Sequence, residues 1–221
     1  TSQAFNQMRT RIKRFLKQRT DMLAGVSHDL RTPLTRMKLQ VSLIKDHKAK
    51  SELELDISEM TAMLDSYVSF VKTESPEPID NIIINDIVKD CLKSLESSKI
   101  KIIIDEKDII KTSGRPLQLK RAFQNIIDNS KRYANKIKIF ICIEKDECKI
   151  EISDNGQGIP KENYEDVFKP FFTLDPSRNK LKGESGLGLT ITRDIIRSHG
   201  GEIKLDKSEI GGLKLLVLLP I

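Results

Sequence analysis

The sequence predicts an α + α/β fold: a helical hairpin that completes a four-helix bundle as a dimer, followed by an α/β sandwich. Two observations lead to this prediction. Over residues 16–71, apolar side chains recur at intervals of three, four and seven, which is typical of helices that pack together. After a segment with two prolines, Pro76 and Pro78, the pattern changes to short runs in which apolar residues alternate, as they do in strands.

The two predicted helices carry one apolar seam each. The first seam is a heptad series, broadened by Val26, Leu34 and Val41, and consists of Leu16, Leu23, Leu30, Met37 and Ile44. A polar turn, DHKAKS, is expected next. The second seam alternates between intervals of four and three and consists of Leu53, Ile57, Met60, Leu64, Tyr67 and Val71. One hairpin cannot bury both seams deeply, so a homodimer is expected.

The second half is predicted as a mixed, largely antiparallel sheet packed against helices. Pro116 suits the first turn of one helix, and Gly200 and Gly201 suit the end of another. In chain order we expect a strand at 82–85, a helix at 85–97, a strand at 100–105, a helix at 115–134, a hairpin of 136–144 and 148–154, a short helix near 160–168, a mobile loop at 173–185, a helix after Gly188 and a closing hairpin.

Composition excludes several classes of protein. The formal charge of +6 comes from the N-terminal segment, because residues 1–50 hold 12 Lys and Arg against 3 Asp and Glu. That segment lacks the interleaved aromatic residues of a single-strand binder, so no nucleic-acid partner is expected. The three cysteines lack metal-site spacing and predict reduced thiols. The chain has no long apolar run or signal peptide and opens without Met inside a helix, so we expect a piece of a longer protein.

His28 lies in the stretch VSHDLRTPL on the first predicted helix. The heptad register places it on the outward face, and Thr32 lies one turn further along that face. Asp29 can hold one ring nitrogen, and Pro33 removes a helix hydrogen bond and is expected to kink the helix. Such a histidine is either an inert surface residue or a nucleophile whose electrophile is supplied elsewhere.

A second candidate site follows the second strand of the central hairpin. Because Asp154 shares strand parity with Ile150 and Ile152, its carboxylate is expected to point toward the core, where it needs a hydrogen-bond donor. Gly156 and Gly158 then allow the backbone to turn closely around a planar ligand. The same D-x-G-x-G stretch also fits a simple turn.

Two asparagines lie beside the buried stripe of the helix that contains them. Asn125 and Asn129 are one turn apart, next to Leu119, Phe123 and Ile126. By themselves these amides are more often plain contacts with solvent, but their side-chain oxygens also suit a hard cation such as Mg²⁺ that bridges phosphates.

Glycines precede the last predicted helix. Gly183, Gly186 and Gly188 fit either a flexible turn or an anion site made by the free N–H groups and the positive dipole end of that helix. Positive side chains in the preceding loop would add charge near phosphates; they are Arg178, Lys180 and Lys182.

Taken in order, five stretches of this chain resemble the sequence boxes of two-component sensor histidine kinases. VSHDLRTPL resembles the H box, NIIDNSKRYA the N box, DNGQGIP the G1 box, VFKPFF the F box and GESGLGLTI the G2 box. The resemblance runs from about Phe5 to the C-terminus, and the first helix is most similar to the osmosensor, or EnvZ-like, type.

The resemblance implies a phosphotransfer hairpin followed by an ATP-binding domain of the GHKL type. It implies that His28 is phosphorylated from Mg-ATP, that Asp29 orients His28 and assists as base, and that Thr32 places water for dephosphorylating a partner. Asn129 is expected to hold Mg²⁺, and Asp154 is expected to read the adenine amino group. The other implied nucleotide contacts are Asn125, Arg132, Tyr133, Gly156, Gly158, Ile159, Arg178, Lys182, Gly183, Gly186, Leu187, Gly188 and Leu189.

The resemblance also implies a domain order and a set of partners. The implied domains are the end of a HAMP-like linker helix at 1–20, the hairpin at 21–73, a linker at 74–80 and the ATP-binding domain at 81–221. The partners are a second copy of the chain and the aspartate of a response regulator. The chain is thus expected to be the cytoplasmic portion of a bacterial inner-membrane protein whose spanning segments lie upstream. Three positions depart from the boxes: Ser130, Thr173 and Glu184.

Overall fold

Two long helices form the first part of the structure. The structure is a computed structural model that describes residues 2–72, 77–93, 100–174 and 186–221, apart from some side chains within these two helices. Helix α1 spans Ser2–Ser42 and continues through Pro33, and α2 spans His47–Lys72. Their contact buries Leu34, Val41 and Ile57, with Ile44 and Leu64 packed against them. The predicted helical hairpin is therefore confirmed.

The turn between the helices differs from the prediction. Asp46 accepts hydrogen bonds at Oδ1 from the N–H groups of Lys48, at 2.9 Å, and Ala49, at 3.3 Å. This side chain caps the amino terminus of α2, which therefore begins at His47. Most of the predicted turn DHKAKS is helix, so that boundary was wrong: an aspartate that looked like a turn residue is a cap.

The heptad residues do not all lie inside the hairpin. Leu34 and Val41, which the sequence placed only at the margin of the seam, are 6% exposed, whereas Leu30 is 48% exposed and Met37 is 45% exposed. On α2, Leu53 and Met60 are likewise exposed. Large apolar side chains of both seams therefore remain exposed on the single chain.

The described residues between 77 and 172, together with residues 186–221, form a second compact unit. Its elements, in chain order, are β1 (Asp80–Ile83), α3 (Ile84–Leu92), β2 (Lys101–Glu106), β3 (Lys111–Gly114), α4 (Pro116–Tyr133), β4 (Lys136–Glu144), β5 (Glu147–Asp154), 3-10 turns at Lys161–Asn163 and Asp166–Phe168, α5 (Gly188–Ser198), β6 (Glu202–Lys207) and β7 (Leu213–Pro220).

Five of these strands form one sheet in the order β2-β4-β5-β7-β6. β2 pairs with β4 in parallel, and the other neighbours are antiparallel. One face of the sheet buries alternate residues of β4, β5 and β7, and α4 and α5 contribute apolar side chains such as Phe123 and Ile195 to the core. The predicted sandwich with a mixed, largely antiparallel sheet is confirmed.

Several local predictions in this unit need correction. The strand expected at 82–85 ends at Ile83, because Ile84 begins α3. β1 pairs with β3, a strand that the polar sequence KTSG did not indicate. The helix expected near 160–168 consists of two 3-10 turns. The loop expected at 173–185 lies almost wholly outside the described residues.

Helix α5 ends as the paired glycines predicted. The N–H of Gly201 donates to the carbonyl of Ile196 at 2.9 Å, and the N–H of Gly200 donates to that of Arg197 at 2.9 Å. Gly200 has a positive φ of 75°. This is the Schellman arrangement, which only a residue without Cβ adopts readily.

Among the helices that the structure describes, none has the length and apolar content to cross a bilayer.

Candidate active site

Asp154 ends β5 with its side chain turned into the protein, as strand parity predicted. It is 5% exposed. Its Oδ1 accepts hydrogen bonds from the N–H of Gly156, at 2.8 Å, and from the N–H of Leu213, at 3.2 Å. The hydroxyl of Ser130 donates to Oδ2 at 3.4 Å. The buried carboxylate therefore has the donors that its burial requires, and its orientation is fixed by α4, by the turn after β5 and by β7.

The turn after Asp154 brings two backbone segments into close approach. A Cβ at Gly156 would lie 2.8 Å from the carbonyl oxygen of Tyr133, and Gly158 has a positive φ of 70°. Asn155 fixes the turn from its other side, because its Oδ1 accepts from the N–H groups of Asn135 and Lys136 at 3.1 and 2.9 Å. The structure shows a close turn at these glycines, which both interpretations of the D-x-G-x-G stretch require, and the role in binding a planar ligand stays a prediction.

The paired asparagines lie on α4 beside its buried stripe, as predicted. Both are half-buried, whereas Leu119 and Phe123 of that stripe are buried. The Nδ2 of Asn125 donates to the carbonyl of Gly188 at 3.2 Å, so α4 is bonded to the start of α5. The side chain of Asn129 forms no hydrogen bond with any residue that the structure describes, which leaves its amide available to a ligand.

The start of α5 is held by contacts that side chains of α5 itself make within the helix and with Phe168. Thr192 donates its hydroxyl to the carbonyl of Gly188 at 2.9 Å. Thr190, which is buried, donates to the carbonyl of Phe168 at 2.9 Å, and the guanidinium of Arg193 lies 4.5 Å from the centre of the Phe168 ring. The helix begins at Gly188 with no side-chain cap, so the N–H groups of its first turn have no capping partner from Leu187.

Two residues with positive φ meet just before α5. The N–H of Phe171 donates to the carbonyl of Gly186 at 3.1 Å, and both residues have a φ of 63°. A Cβ at Gly186 would lie 2.8 Å from the carbonyl carbon of Phe171. Gly186 is therefore required by both backbone conformation and close approach.

The remaining predicted nucleotide contacts differ in how exposed their side chains are. Leu187 is buried in the core, so only its backbone can serve a ligand, whereas Arg132 and Tyr133 are exposed and Ile159 and Leu189 are half-buried. Arg178, Lys182 and Gly183, together with Lys180 and Glu184, lie outside the described residues.

On the hairpin, the predicted phospho-acceptor group lies within α1. Asp29 and Thr32 are exposed on this helix. The side chain of His28 is outside the described residues, so the structure shows only that its backbone is helical.

Sequence reasoning missed Gly212 and Leu213 at this site. The N–H of Gly212 donates to the backbone carbonyl of Asp154 at 3.0 Å, in addition to the bond from Leu213 to the carboxylate. A Cβ on Gly212 would collide with Asp154 Oδ1 and with the nitrogen of Gly156. The dipeptide Gly211-Gly212 is visible in the sequence, but the sequence analysis assigned it only to the closing hairpin.

The comparisons with known proteins agree with these two units. The His Kinase A (phospho-acceptor) domain family matches residues 18–73. The family described as histidine kinase-, DNA gyrase B- and HSP90-like ATPase matches residues 114–221.

Curated relatives resemble the chain from end to end. It is 31% identical over 222 residues to the sensor histidine kinase GtrS of Pseudomonas aeruginosa. It is 32% identical over 233 residues to the sensor histidine kinase CpxA of Escherichia coli K12. These alignments cover 99% of this chain, but only 46% of GtrS and 50% of CpxA. The chain therefore spans about half the length of the curated relatives it matches.

A solved structure agrees with the sandwich fold. The mycobacterial sensor histidine kinase MprB is 23% identical, with a TM-score of 0.57 over 65% of this chain and 97% of that chain. The phospho-acceptor family matches the helical hairpin, the ATPase family matches most of the sandwich, and both curated relatives are sensor histidine kinases. The chain belongs to the sensor histidine kinase family.

Proposed function

We propose that this chain is the catalytic part of a sensor histidine kinase that autophosphorylates His28 from Mg-ATP and transfers the phosphoryl group to an aspartate of a response regulator. The observation that carries the proposal is the buried carboxylate of Asp154. It lies beside a glycine turn, on the same unit as Asn129 and the start of α5, where Leu187 provides no side-chain cap. A fixed acceptor, an amide oxygen and the N–H groups at a helix start match the base, the cation and the phosphates of a nucleotide.

Each of these groups has one task in the proposed site. Asp154 accepts a hydrogen bond from the adenine amino group. Asn129 holds Mg²⁺ through its side-chain oxygen, and the donor set fits, because a hard cation that keeps most of its water needs few protein oxygens. The first turn of α5 and the backbone at Gly186 bind phosphate oxygens. Mg²⁺, when bound, neutralises charge that develops during phosphoryl transfer.

Asn125 has a positioning task in this proposal. Its Nδ2 is already committed to the carbonyl of Gly188. This hydrogen bond therefore holds the start of α5 at a fixed position relative to α4, the helix that carries Asn129. Both helices must hold their places for a phosphate and its cation to be bound together.

The residue that accepts the phosphoryl group in this proposal is His28 on α1. One ring nitrogen of His28 attacks the γ-phosphorus, a P–N bond forms, and the bond to the departing ADP oxygen breaks. Asp29, the next residue, orients the ring and takes the proton from its other nitrogen. The phosphoryl group then passes from His28 to a carboxylate oxygen of the regulator aspartate.

We propose that Thr32 takes part in removing the phosphoryl group from the response regulator. It is exposed one turn beyond His28, where a hydroxyl can place water against a phosphoaspartate of the regulator. The matched control is Thr35, which is exposed on the same helix and donates to the carbonyl of Arg31 at 2.9 Å. Thr32→Ala is expected to abolish regulator dephosphorylation and retain autophosphorylation, whereas Thr35→Ala should change neither.

The dimer is supported by the apolar surface that the hairpin leaves exposed. Leu30 and Met37 on α1 and Leu53 and Met60 on α2 are exposed on the single chain. A second hairpin would cover them in a four-helix bundle. We also propose the domain order given in the sequence analysis, in which residues 1–20 are the end of a HAMP-like linker helix. In this proposal the chain is the cytoplasmic portion of a bacterial membrane protein.

Incubation of the whole chain with γ-labelled ATP and Mg²⁺ tests the kinase proposal. We expect an acid-labile label that His28→Gln abolishes and His47→Gln, a substitution of an exposed histidine on α2, leaves unchanged. An acid-stable label, or a label that survives His28→Gln, contradicts the proposal. ATP turnover that does not depend on His28 would instead indicate a GHKL ATPase of the chaperone or topoisomerase kind, and failure to bind Mg-ATP would indicate a signalling scaffold.

A further inference from the structure

The loop between β6 and β7, residues Ser208–Gly212, is closed by its own hydrogen bonds. The N–H of Ser208 donates to the carbonyl of Gly212 at 2.9 Å, and the N–H of Gly211 donates to the carbonyl of Ser208 at 3.1 Å. The Ser208 hydroxyl accepts from the N–H of Ile210 at 3.2 Å. Ser208 is itself only 4% exposed. The β6–β7 loop therefore has a defined shape that a buried hydroxyl supports from within.

The last residue of this loop and the first residue of β7 present two consecutive N–H groups to Asp154. That of Gly212 donates to the backbone carbonyl at 3.0 Å, and that of Leu213 donates to the carboxylate Oδ1 at 3.2 Å. The approach is so close that a Cβ on Gly212 would collide with Oδ1 and with the Gly156 nitrogen. No side chain other than hydrogen fits there without moving the carboxylate or the turn after β5.

The two oxygens of the carboxylate consequently differ. Oδ1 already accepts from two main-chain donors, Gly156 and Leu213. Oδ2 accepts only the long hydrogen bond from Ser130, at 3.4 Å, within the residues that the structure describes. A carboxylate oxygen accepts about two hydrogen bonds, so the remaining acceptor capacity is concentrated on Oδ2. The close approach of Gly212 to Oδ1 helps to fix the orientation of the carboxylate, together with the donors on α4, β7 and the turn after β5.

We propose that the β6–β7 loop forms a wall of the nucleobase pocket and that Gly212 is a positioning residue, acting through Asp154, that sets selectivity for a purine bearing a 6-amino group. The inference rests on the proposed function, in which Asp154 reads adenine. A carboxylate held in one orientation accepts from an amino group and repels a carbonyl oxygen in the same place, whereas a carboxylate free to rotate discriminates less.

Equilibrium binding of ATP and inosine triphosphate to the whole chain tests the proposal, because inosine carries a 6-oxo group in place of the amino group. The wild-type chain is expected to bind ATP at least about tenfold more tightly than inosine triphosphate, as befits a hydrogen bond to a charged group. Gly212→Ala should bring the ratio of the two dissociation constants close to one. The ratio for ATP and ADP should stay as in the wild-type chain, because the phosphate contacts are not altered.

Two further variants keep the result interpretable if Gly212→Ala fails to fold. Ser208→Ala removes the acceptor of the Ile210 N–H without touching Asp154, and should lower the ATP-to-inosine triphosphate selectivity about threefold through a loosened loop. Glu209→Ala changes an exposed side chain of the same loop and should leave the selectivity unchanged. Thermal melting of each variant shows whether the fold is intact.

The outcomes separate this inference from the proposed function. Unchanged selectivity in folded Gly212→Ala, equal weakening of ATP and inosine triphosphate, or wild-type selectivity in Ser208→Ala where Gly212→Ala does not fold would each overturn the role of the loop while leaving ATP binding in place. A wild-type chain that binds both nucleotides equally also overturns it. A wild-type chain that binds neither nucleotide contradicts the proposed function instead.

Discussion

The carboxylate of Glu77 lies at the amino terminus of α4, where its Oε1 accepts a hydrogen bond from the N–H of Leu117 at 2.7 Å. Its Oε2 accepts from the N–H of Gln118 at 3.1 Å. Arg115, the residue at the N-cap position, provides no side-chain cap. A residue 40 positions earlier in the chain therefore caps the helix that carries Asn125 and Asn129.

Removing this cap should destabilise the sandwich. Glu77→Ala leaves two N–H groups without their acceptor and removes a negative charge from the positive end of the helix dipole, so we expect a loss of about 1 kcal/mol in the free energy of unfolding. Urea denaturation followed by circular dichroism measures it. Glu77→Gln should lose less, because an amide oxygen still accepts one bond. Equal stability of Glu77→Ala and the parent chain would contradict the capping role.

His199 should contribute to stability because both of its ring nitrogens lie at hydrogen-bond distance from backbone groups. The N–H of Arg115 donates to Nε2 at 3.0 Å, which leaves the ring proton on Nδ1, where it reaches the carbonyl of Ile195 at 2.8 Å. His199→Ala leaves the Arg115 N–H without its acceptor at a half-buried position, and is expected to cost about 1–3 kcal/mol. The control is His47→Ala on the exposed start of α2, which should change stability by less than about 0.5 kcal/mol. Similar effects of the two substitutions would argue against the bridge between α4 and α5.

The turn between β4 and β5 can be improved. Lys145 and Asp146 both have positive φ, at 53° and 61°, in a two-residue hairpin turn. Because the left-handed region is unfavourable for most side chains, replacing the pair by Asn-Gly should raise the free energy of unfolding by about 1 kcal/mol. Lys145→Val should lower it, since a branched Cβ is least tolerated there. A melting temperature that does not rise in the Asn-Gly variant would count against this conformation.

The three thiols should be unreactive in the folded chain. All three are free and buried. Burial raises the pKa of Cys91 to about 11, that of Cys148 to about 12, and that of Cys142 above its ordinary value. Since the thiolate is the reactive form, a raised pKa leaves little of it at pH 8. We expect slow alkylation by iodoacetamide at pH 8 and rapid alkylation of all three in urea; rapid labelling of native Cys148 would contradict the buried setting.

Most of the architecture could be predicted from the local periodicity of apolar residues in the sequence. Strand parity alone placed Asp154 inward beside Ile150 and Ile152, and helical period placed Asn125 and Asn129 at the margin of the buried stripe of α4. These predictions succeeded because a strand or helix repeats its geometry every two or 3.6 residues, whatever it packs against. The polar strand β3 was missed because four residues with no apolar alternation carry no such signal.

What the sequence determined by itself was the set of elements, the direction in which their side chains point, and the family to which the boxes belong. Only the tertiary structure decided which distant groups hold those side chains in place. Leu213 bonds to Asp154 across 59 residues, Glu77 caps α4 across 40, and His199 joins Arg115 across 84. Such contacts depend on how whole elements pack, because the donors and acceptors at their ends have no periodic partner within the local chain.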